Sequence, residues 1–198
     1  MMFANSIAVI ISYLIGNFST SMLVSRLWAN IDIRKFGSGN AGSTNVLRTL
    51  GFKPALVTFI GDALKGSFAV WLGSRIGTEN AALYCGIAVV IGHNWPIFLG
   101  FRGGKGIATT IGVGFSIHPL IAFICTVIGI IIVIRTKYVS LGSITAVSLL
   151  PILLLFIGFK YFIFGLILAA MAIFRHRQNI QRLLNGTESK MGQKSRTR

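Results

Sequence analysis

Three stretches of this chain mix glycines, small hydroxyl or amide side chains and a cation at short spacing, a composition suited to holding anions. The first is Gly37-Ser38-Gly39-Asn40-Ala41-Gly42-Ser43-Thr44-Asn45, with Arg48 close behind. Its glycines open backbone conformations closed to other residues, so successive N–H groups can converge on one anion. Ser38, Asn40, Ser43, Thr44 and Asn45 add neutral donors, and Arg48 adds a planar charged fork that matches phosphate. A plain turn between helices needs only one or two glycines, so anion binding is the expectation.

The second stretch runs from Gly92, His93 and Asn94 through Trp95, Pro96 and Phe98 to Arg102-Gly103-Gly104-Lys105-Gly106. Its end leads into Ile107-Ala108-Thr109-Thr110, the pattern of a phosphate cradle opening onto a helix N-terminus, where N–H groups and the positive dipole end meet an anion. Gly106 follows Lys105 where a P-loop needs Ser or Thr, which argues against nucleotide hydrolysis. Trp95, Pro96 and Phe98 have the character of membrane-interface anchors. His93 is either a structural hydrogen-bonding group or part of the phosphate site.

The third stretch is His176-Arg177-Gln178-Asn179-Ile180-Gln181-Arg182-Leu183, continuing to Gly186-Thr187-Glu188. On a helix, His176, Asn179 and Leu183 share one face, and Arg175, Gln178 and Arg182 another. The arginines suit a juxtamembrane collar for anionic headgroups, while His176 and Asn179 are site candidates. Asp62 and Lys65 stand at i, i+3 inside an apolar run and can pair. Ionisable groups in such a place are either a buried structural pair or functional. Ser140 and Ser143 follow Tyr138 on one helical face; Ser140 either caps its helix or belongs to the site.

The elements that carry these motifs are apolar. The 198 residues are 54% hydrophobic and 12% charged, with a mean hydropathy of +0.76. Solid apolar runs over 3–24, 54–74, 80–98, 106–117, 119–135, 139–157 and 159–175 read as membrane helices, because in lipid only helices or closed barrels satisfy the backbone. The fourth and fifth runs meet at His118-Pro119 and could form one kinked span. Charge separates the two counts. With seven spans and the N-terminus outside, the loops near 25–53, 99–106 and 135–138 and the tail after 174 all face the cytoplasm. They then hold nearly all of the 19 Lys and Arg, leaving Arg75 and Lys160 outside. The fold class expected is thus all-α, a polytopic integral membrane protein of about seven transmembrane helices with a cytoplasmic C-terminus. One helical domain spans 1–184, and a polar, basic, frayed tail spans 185–198.

The net charge of +15 flanks apolar spans, so it fits topology, anionic substrates and lipid rather than nucleic acid. Cys85 and Cys125 lie in apolar runs and suggest neither a metal site nor a disulfide. Four acidic residues cannot supply the grouped carboxylates of an Mg²⁺ enzyme, so no metal or cofactor is expected. The N-terminal run has no basic leader segment and no clear cleavage site, and reads as an uncleaved first span.

In order and spacing, GSGNAGSTN, GHNWPIFLGFRGGKG and HRQNI…GTE resemble the three motifs of the bacterial acyl-phosphate:glycerol-3-phosphate acyltransferases, the PlsY type. The resemblance covers essentially the whole chain. It implies a multi-pass protein of the bacterial inner membrane that acts on the cytoplasmic face, works as a monomer, and uses no cofactor. It implies acyl phosphate as donor and glycerol 3-phosphate as acceptor, giving lysophosphatidic acid and phosphate. It assigns catalytic roles to Ser38, Arg48, His176, Asn179 and Ser143. Phosphate contacts fall to Gly37, Gly39, Asn40, Gly42, Thr44, Asn45, His93, Asn94, Arg102, Gly103, Gly104, Lys105 and Gly106. Asp62, Lys65, Ser140 and Glu188 remain further candidates.

The chemistry agrees with the resemblance. The residues five places after His93, His118 and His176 are Phe98, Phe123 and Gln181, so no histidine has the carboxylate partner of a His-x4-Asp acyltransferase. An acyl phosphate is a mixed anhydride with a good leaving group and needs mainly two anions held side by side and a hydroxyl aimed at the carbonyl. A transporter would also use glycines and intramembrane charge, but carriers build their sites near the midplane.

Overall fold

The computed structural model of the protein describes residues 2–78 and 80–192. All regular structure among them is helical: α1 (Met2–Asn17), α2 (Thr20–Ala29), α3 (Ser43–Leu50), α4 (Phe52–Ile76), α5 (Ala81–Asn94), α6 (Ile107–Ile117), α7 (Pro119–Thr136), α8 (Val139–Leu155), α9 (Phe159–Arg175) and α10 (Arg177–Leu184), with 3₁₀ turns at Ile33–Lys35 and Ile97–Leu99. The helices pack into two compact units, 2–117 and 118–192.

The first apolar run differs from the single span expected over 3–24. It breaks after Asn17, and the Ser19 hydroxyl caps α2 by accepting the Met22 N–H at 3.4 Å. α2 then continues to Asn30, whose left-handed φ of 54° ends it. Across the break, Phe3–Ala29 remains apolar and long enough to cross a membrane. So do Phe52–Ile76, Ala81–Leu99 and Pro119–Thr136, and α9 with α10 makes a fifth, bent by 62°. Two of the seven expected segments are shorter. α8 has 17 residues and α6 only 11, and at a rise of about 1.5 Å per residue α6 falls well short of a hydrocarbon core about 30 Å thick.

Polarity is arranged as lipid demands. Leu64, Phe68 and Trp71 of α4 and Ile130, Ile131 and Ile134 of α7 point outward, whereas Ser12, Ser25, Thr58, Asp62 and Lys65 are buried. Small residues let backbones touch. In the first unit α1 crosses α5 at Gly16 and Gly92, where a Cβ on either glycine would strike the other helix. α4 crosses α6 in the same manner at Gly66 and Gly112. α3 is pinned down by Val46, which packs with Ile33 and Ala55 beneath Met22, Leu47 and Leu50. In the second unit α8 packs on α7 and α9, and α10 on α8 and α9. His118 caps α7 by accepting the Ile121 N–H at 3.4 Å, which accounts for the His118-Pro119 boundary.

Candidate active site

The first motif is a loop folded around one amide. The Asn45 carboxamide is 2% exposed as a residue and donates to the Ile33 and Phe36 carbonyls, 3.0 Å each, while its Oδ1 accepts the Ser38 N–H at 2.9 Å. Both Asn45 donors are therefore committed to backbone, so Asn45 shapes the loop instead of offering N–H groups to phosphate, a change from the role expected. Gly37 and Gly39 supply the positive φ values, 56° and 72°, that turn the chain around it. The Ser38 side chain is left exposed, with the Asn40 amide donating to its hydroxyl at 3.4 Å. Gly42 leads into α3, which carries Thr44 and Arg48 half-buried on one face.

A carboxylate that the sequence reading passed over holds the approach to this loop. Asp32 takes the Arg34 guanidinium in a fork, 3.1 Å to Nε and 2.8 Å to Nη2, and also accepts the Arg34 N–H. Those hydrogen bonds from Arg34 hold the Asp32 carboxyl below its usual range. Arg34 also reaches the Leu99 carbonyl at 3.5 Å, tying the first motif to the second. Its signal was an Asp-x-Arg at a 3₁₀ start, legible only once that turn is known.

The second motif is anchored at both ends. The Tyr13 hydroxyl donates to the Trp95 carbonyl at 3.0 Å, and the Asn17 side chain accepts the Ile97 N–H. The chain then reverses through Gly100 and Phe101, with φ of 61° and 60°, and returns so that the Gly104 N–H donates to the His93 carbonyl at 3.1 Å. Gly103, Gly104 and Gly106 are glycine for lack of space. A Cβ on Gly103 would meet the His93 carbonyl and Pro96; on Gly104, the His93 ring and the Ala41 carbonyl; on Gly106, the Asn94 amide at 2.8 Å. Gly104 thus brings the first and second motifs into contact. Arg102 stays exposed, Lys105 is half-buried, and α6 begins at Ile107 with its N-terminus at this turn.

Beneath the second motif lie Asp62 and Lys65, paired as expected at 2.8 Å, with Asp62 only 1% exposed. Their neighbours were not foreseen. Lys65 Nζ also stands 2.8 Å from the Phe18 carbonyl and 2.8 Å from His93 Nδ1, and the Thr20 hydroxyl donates to Asp62 at 3.0 Å. Asn94 is fully buried, and its amide has no hydrogen-bond partner.

In the second unit, His176 is not on a continuous helix with Asn179; it is the corner where α9 turns into α10. Its Nδ1 lies 2.8 Å from the Ala172 carbonyl, so Nδ1 carries a proton. Glu188 organises the rest. Its Oε1 accepts from Ser140 at 2.8 Å and Asn179 at 2.7 Å, and its Oε2 from Arg182 Nε at 2.7 Å. Burial alone raises the Glu188 carboxyl, and these three hydrogen bonds more than reverse that, holding it below its usual range. Ser140 therefore caps no helix; Tyr138 is the N-cap of α8. Ser143 is half-buried one turn further along. The expected frayed tail is instead held at its start by Glu188 and by Met191 N–H on the Lys137 carbonyl at 2.7 Å; residues 193–198 lie outside the described residues.

Residues 6–186 match the model of the family described as glycerol-3-phosphate acyltransferase. A glycerol-3-phosphate acyltransferase of Alkaliphilus metalliredigens is 60% identical over 191 residues, covering 96% of this chain and 98% of that protein. The chain belongs to this family. It is a multi-pass membrane acyltransferase. A Clostridioides difficile relative of the same description is 48% identical, covering 97% of this chain and 98% of its own. Two crystal structures of PlsY, an integral membrane glycerol 3-phosphate acyltransferase, superpose at 36% identity. The glycerol 3-phosphate form has a TM-score of 0.89, covering 95% of this chain and 96% of that one. The lysophosphatidic acid form has a TM-score of 0.87 and covers 95% of each.

Each described carboxylate of the acyltransferase, Asp32, Asp62 and Glu188, already faces its own cation, Arg34, Lys65 or Arg182. Near the motifs Arg102 is exposed, and Arg48 and Lys105 are half-buried.

Proposed function

We propose that this acyltransferase moves an acyl chain from acyl phosphate to the 1-hydroxyl of glycerol 3-phosphate, releasing lysophosphatidic acid and phosphate. The observation that carries the reading is the meeting of the two glycine loops at Gly104, beside the N-terminus of α6, a setting of backbone amides and basic side chains suited to anions. The reaction is direct attack within a ternary complex. Arg48, Arg102 and Lys105 neutralise phosphate oxygens, the first loop around Gly37, Asn40 and Thr44 and the second around Gly106 supply N–H groups, and Ser38 positions the reacting groups; the Gly39, Gly42 and Gly104 N–H groups already donate to the Phe36, Asn40 and His93 carbonyls and shape the loops. The proton passes to the donor's own phosphate or to His176. The resemblance also gives Asn179 and Ser143 of the second unit a catalytic role, and no acyl-enzyme forms.

The same reading places the protein as a monomer in a bacterial inner membrane. It has seven spans, with α6 and α8 added to the five long apolar segments, and motifs that face the cytoplasm. The excess of Lys and Arg in the loops near 25–53 and 99–106 supports that orientation.

The test offers purified protein glycerol 3-phosphate with palmitoyl phosphate, palmitoyl-CoA or palmitoyl-acyl-carrier protein, scoring lysophosphatidic acid. Product from the acyl phosphate alone is expected. Product from either thioester overturns the donor, and a trapped acyl-Ser38 or acyl-Ser143 overturns direct attack.

A further inference from the structure

Two side chains of α1, outside all three motifs, grip the second motif where its loop begins. α1 ends at Asn17, which is 5% exposed. The Asn17 Nδ2 donates to the Tyr13 carbonyl at 2.7 Å, which fixes the amide so that its Oδ1 accepts the Ile97 N–H. The Tyr13 hydroxyl donates to the Trp95 carbonyl at 3.0 Å. These grips reach 80 and 82 positions along the chain and fall on either side of Pro96. Pro96 is the corner of the loop. Its carbonyl accepts the Leu99 and Phe101 N–H groups at 3.1 and 2.9 Å, which starts the reversal. Where the chain returns, a Cβ on Gly103 would meet Pro96 Cδ at 2.6 Å. The reversal therefore begins and ends against Pro96. About one turn before the grips, a Cβ on Gly92 would strike the Tyr13 carbonyl, so α1 and α5 are in backbone contact there.

We propose that Tyr13 and Asn17 are positioning residues for substrate phosphate: by fixing Trp95, Pro96 and Ile97 they hold the Arg102–Gly106 return in its binding form. The inference rests on the reading of the second motif as a phosphate site. With a grip removed, the return samples other positions, and apparent affinity falls with the fraction that stays competent. The chemical step, once both substrates are bound, is unchanged. Both substrates of the proposed reaction carry a phosphate, and that group is the chemistry the return recognises.

The fold supplies a control. At the other end of α1, Asn5 donates to the Thr78 hydroxyl and accepts the Thr78 N–H, 2.9 Å each. This is also a two-bond fastening of α1, about 18 Å along the helix from Asn17.

The experiment measures kcat, melting temperature, and KM for glycerol 3-phosphate and for palmitoyl phosphate, on the full chain in detergent. The variants are Tyr13→Phe, Asn17→Ala, Asn5→Ala and Lys105→Ala. Tyr13→Phe is expected to raise the KM of at least one substrate about threefold and Asn17→Ala about tenfold, with kcat within about twofold of wild type. A rise for one substrate alone identifies whose phosphate the return holds. Asn5→Ala is expected to lower the melting temperature, as Asn17→Ala does, while leaving both KM values within about twofold of wild type. Tyr13→Phe keeps the ring and loses one hydroxyl, so it carries the test if Asn17→Ala does not fold. Unchanged KM values in the grip variants overturn the inference, and so does a fall in kcat alone. An equal KM rise in Asn5→Ala overturns it too, because the effect is then a general loss of stability. If Lys105→Ala leaves both KM values unchanged, the phosphate reading of the second motif fails instead, and the inference falls with it.

Discussion

His93 and His176 are both buried, and both are gripped at Nδ1 from 2.8 Å, yet the two grips differ in kind. In the first unit the partner is the Lys65 amino group, itself paired with Asp62. In the second it is the Ala172 carbonyl, which accepts, so Nδ1 carries a proton. One ring is backed by a charged side chain and the other by backbone. The difference teaches that a histidine's role is decided by what stands behind it, not by the motif in which it is found. The surroundings differ in kind as well. His93 rests on an ion pair inside the span region, and His176 sits at a helix corner beside the Glu188 network.

The contrast breaks most visibly at the second histidine. Replacing His176 with Ala is expected to lower kcat by about 10²–10⁴-fold with little change in KM. His93→Ala is expected to act mainly on KM, and equal kcat losses in the two variants would erase the distinction. Gly104→Ala comes next. Its Cβ would meet the His93 ring and the Ala41 carbonyl together, so overpacking of about 3 kcal/mol is expected as a lower melting temperature with raised KM. The corresponding residue of the second unit is Glu188. Glu188→Gln removes the charge that faces Arg182, whose side chain is 38% exposed. After discounting for that solvent screening, a loss of about 2 kcal/mol is expected in thermal unfolding, with no shift in the His93 resonances.

The same carboxylate gives a pH signature. Its folded value is depressed, so its contribution is fully present above the unfolded value and is lost as pH falls through the folded one. Melting temperature is expected to drop on acidification below the usual carboxylate range, and Glu188→Gln to flatten that drop. Smallest of all, Asp32→Asn breaks a pair whose side chains are 20% and 29% exposed, and is expected to cost about 0–1 kcal/mol, less in high salt.

Much of the helical layout is legible along the chain. The apolar runs over 54–74, 119–135 and 159–175 nearly coincide with α4, α7 and α9, since a membrane helix needs only length and apolarity. The break within 3–24 was not legible, because Ser19 and Thr20 are apolar enough in company to continue a span, and the interruption is stabilised by Lys65 and Asp62 from α4. The motif positions were visible, but individual roles were not. Asn45 looked like a phosphate donor until both its N–H groups were seen on loop carbonyls.

The sequence by itself determined that this is a multi-pass helical protein with glycine-rich loops that carry cations. Glycine spacing, hydropathy and the placement of cations are local properties, and they resemble one family along the whole chain. Only the tertiary structure decided which groups donate and which accept. Lys65 meets His93 across 28 positions, Thr20 meets Asp62 across 42, and Ser140 meets Glu188 across 48. Such meetings depend on where helices cross and how closely glycines let them approach, and no periodicity in the chain encodes that.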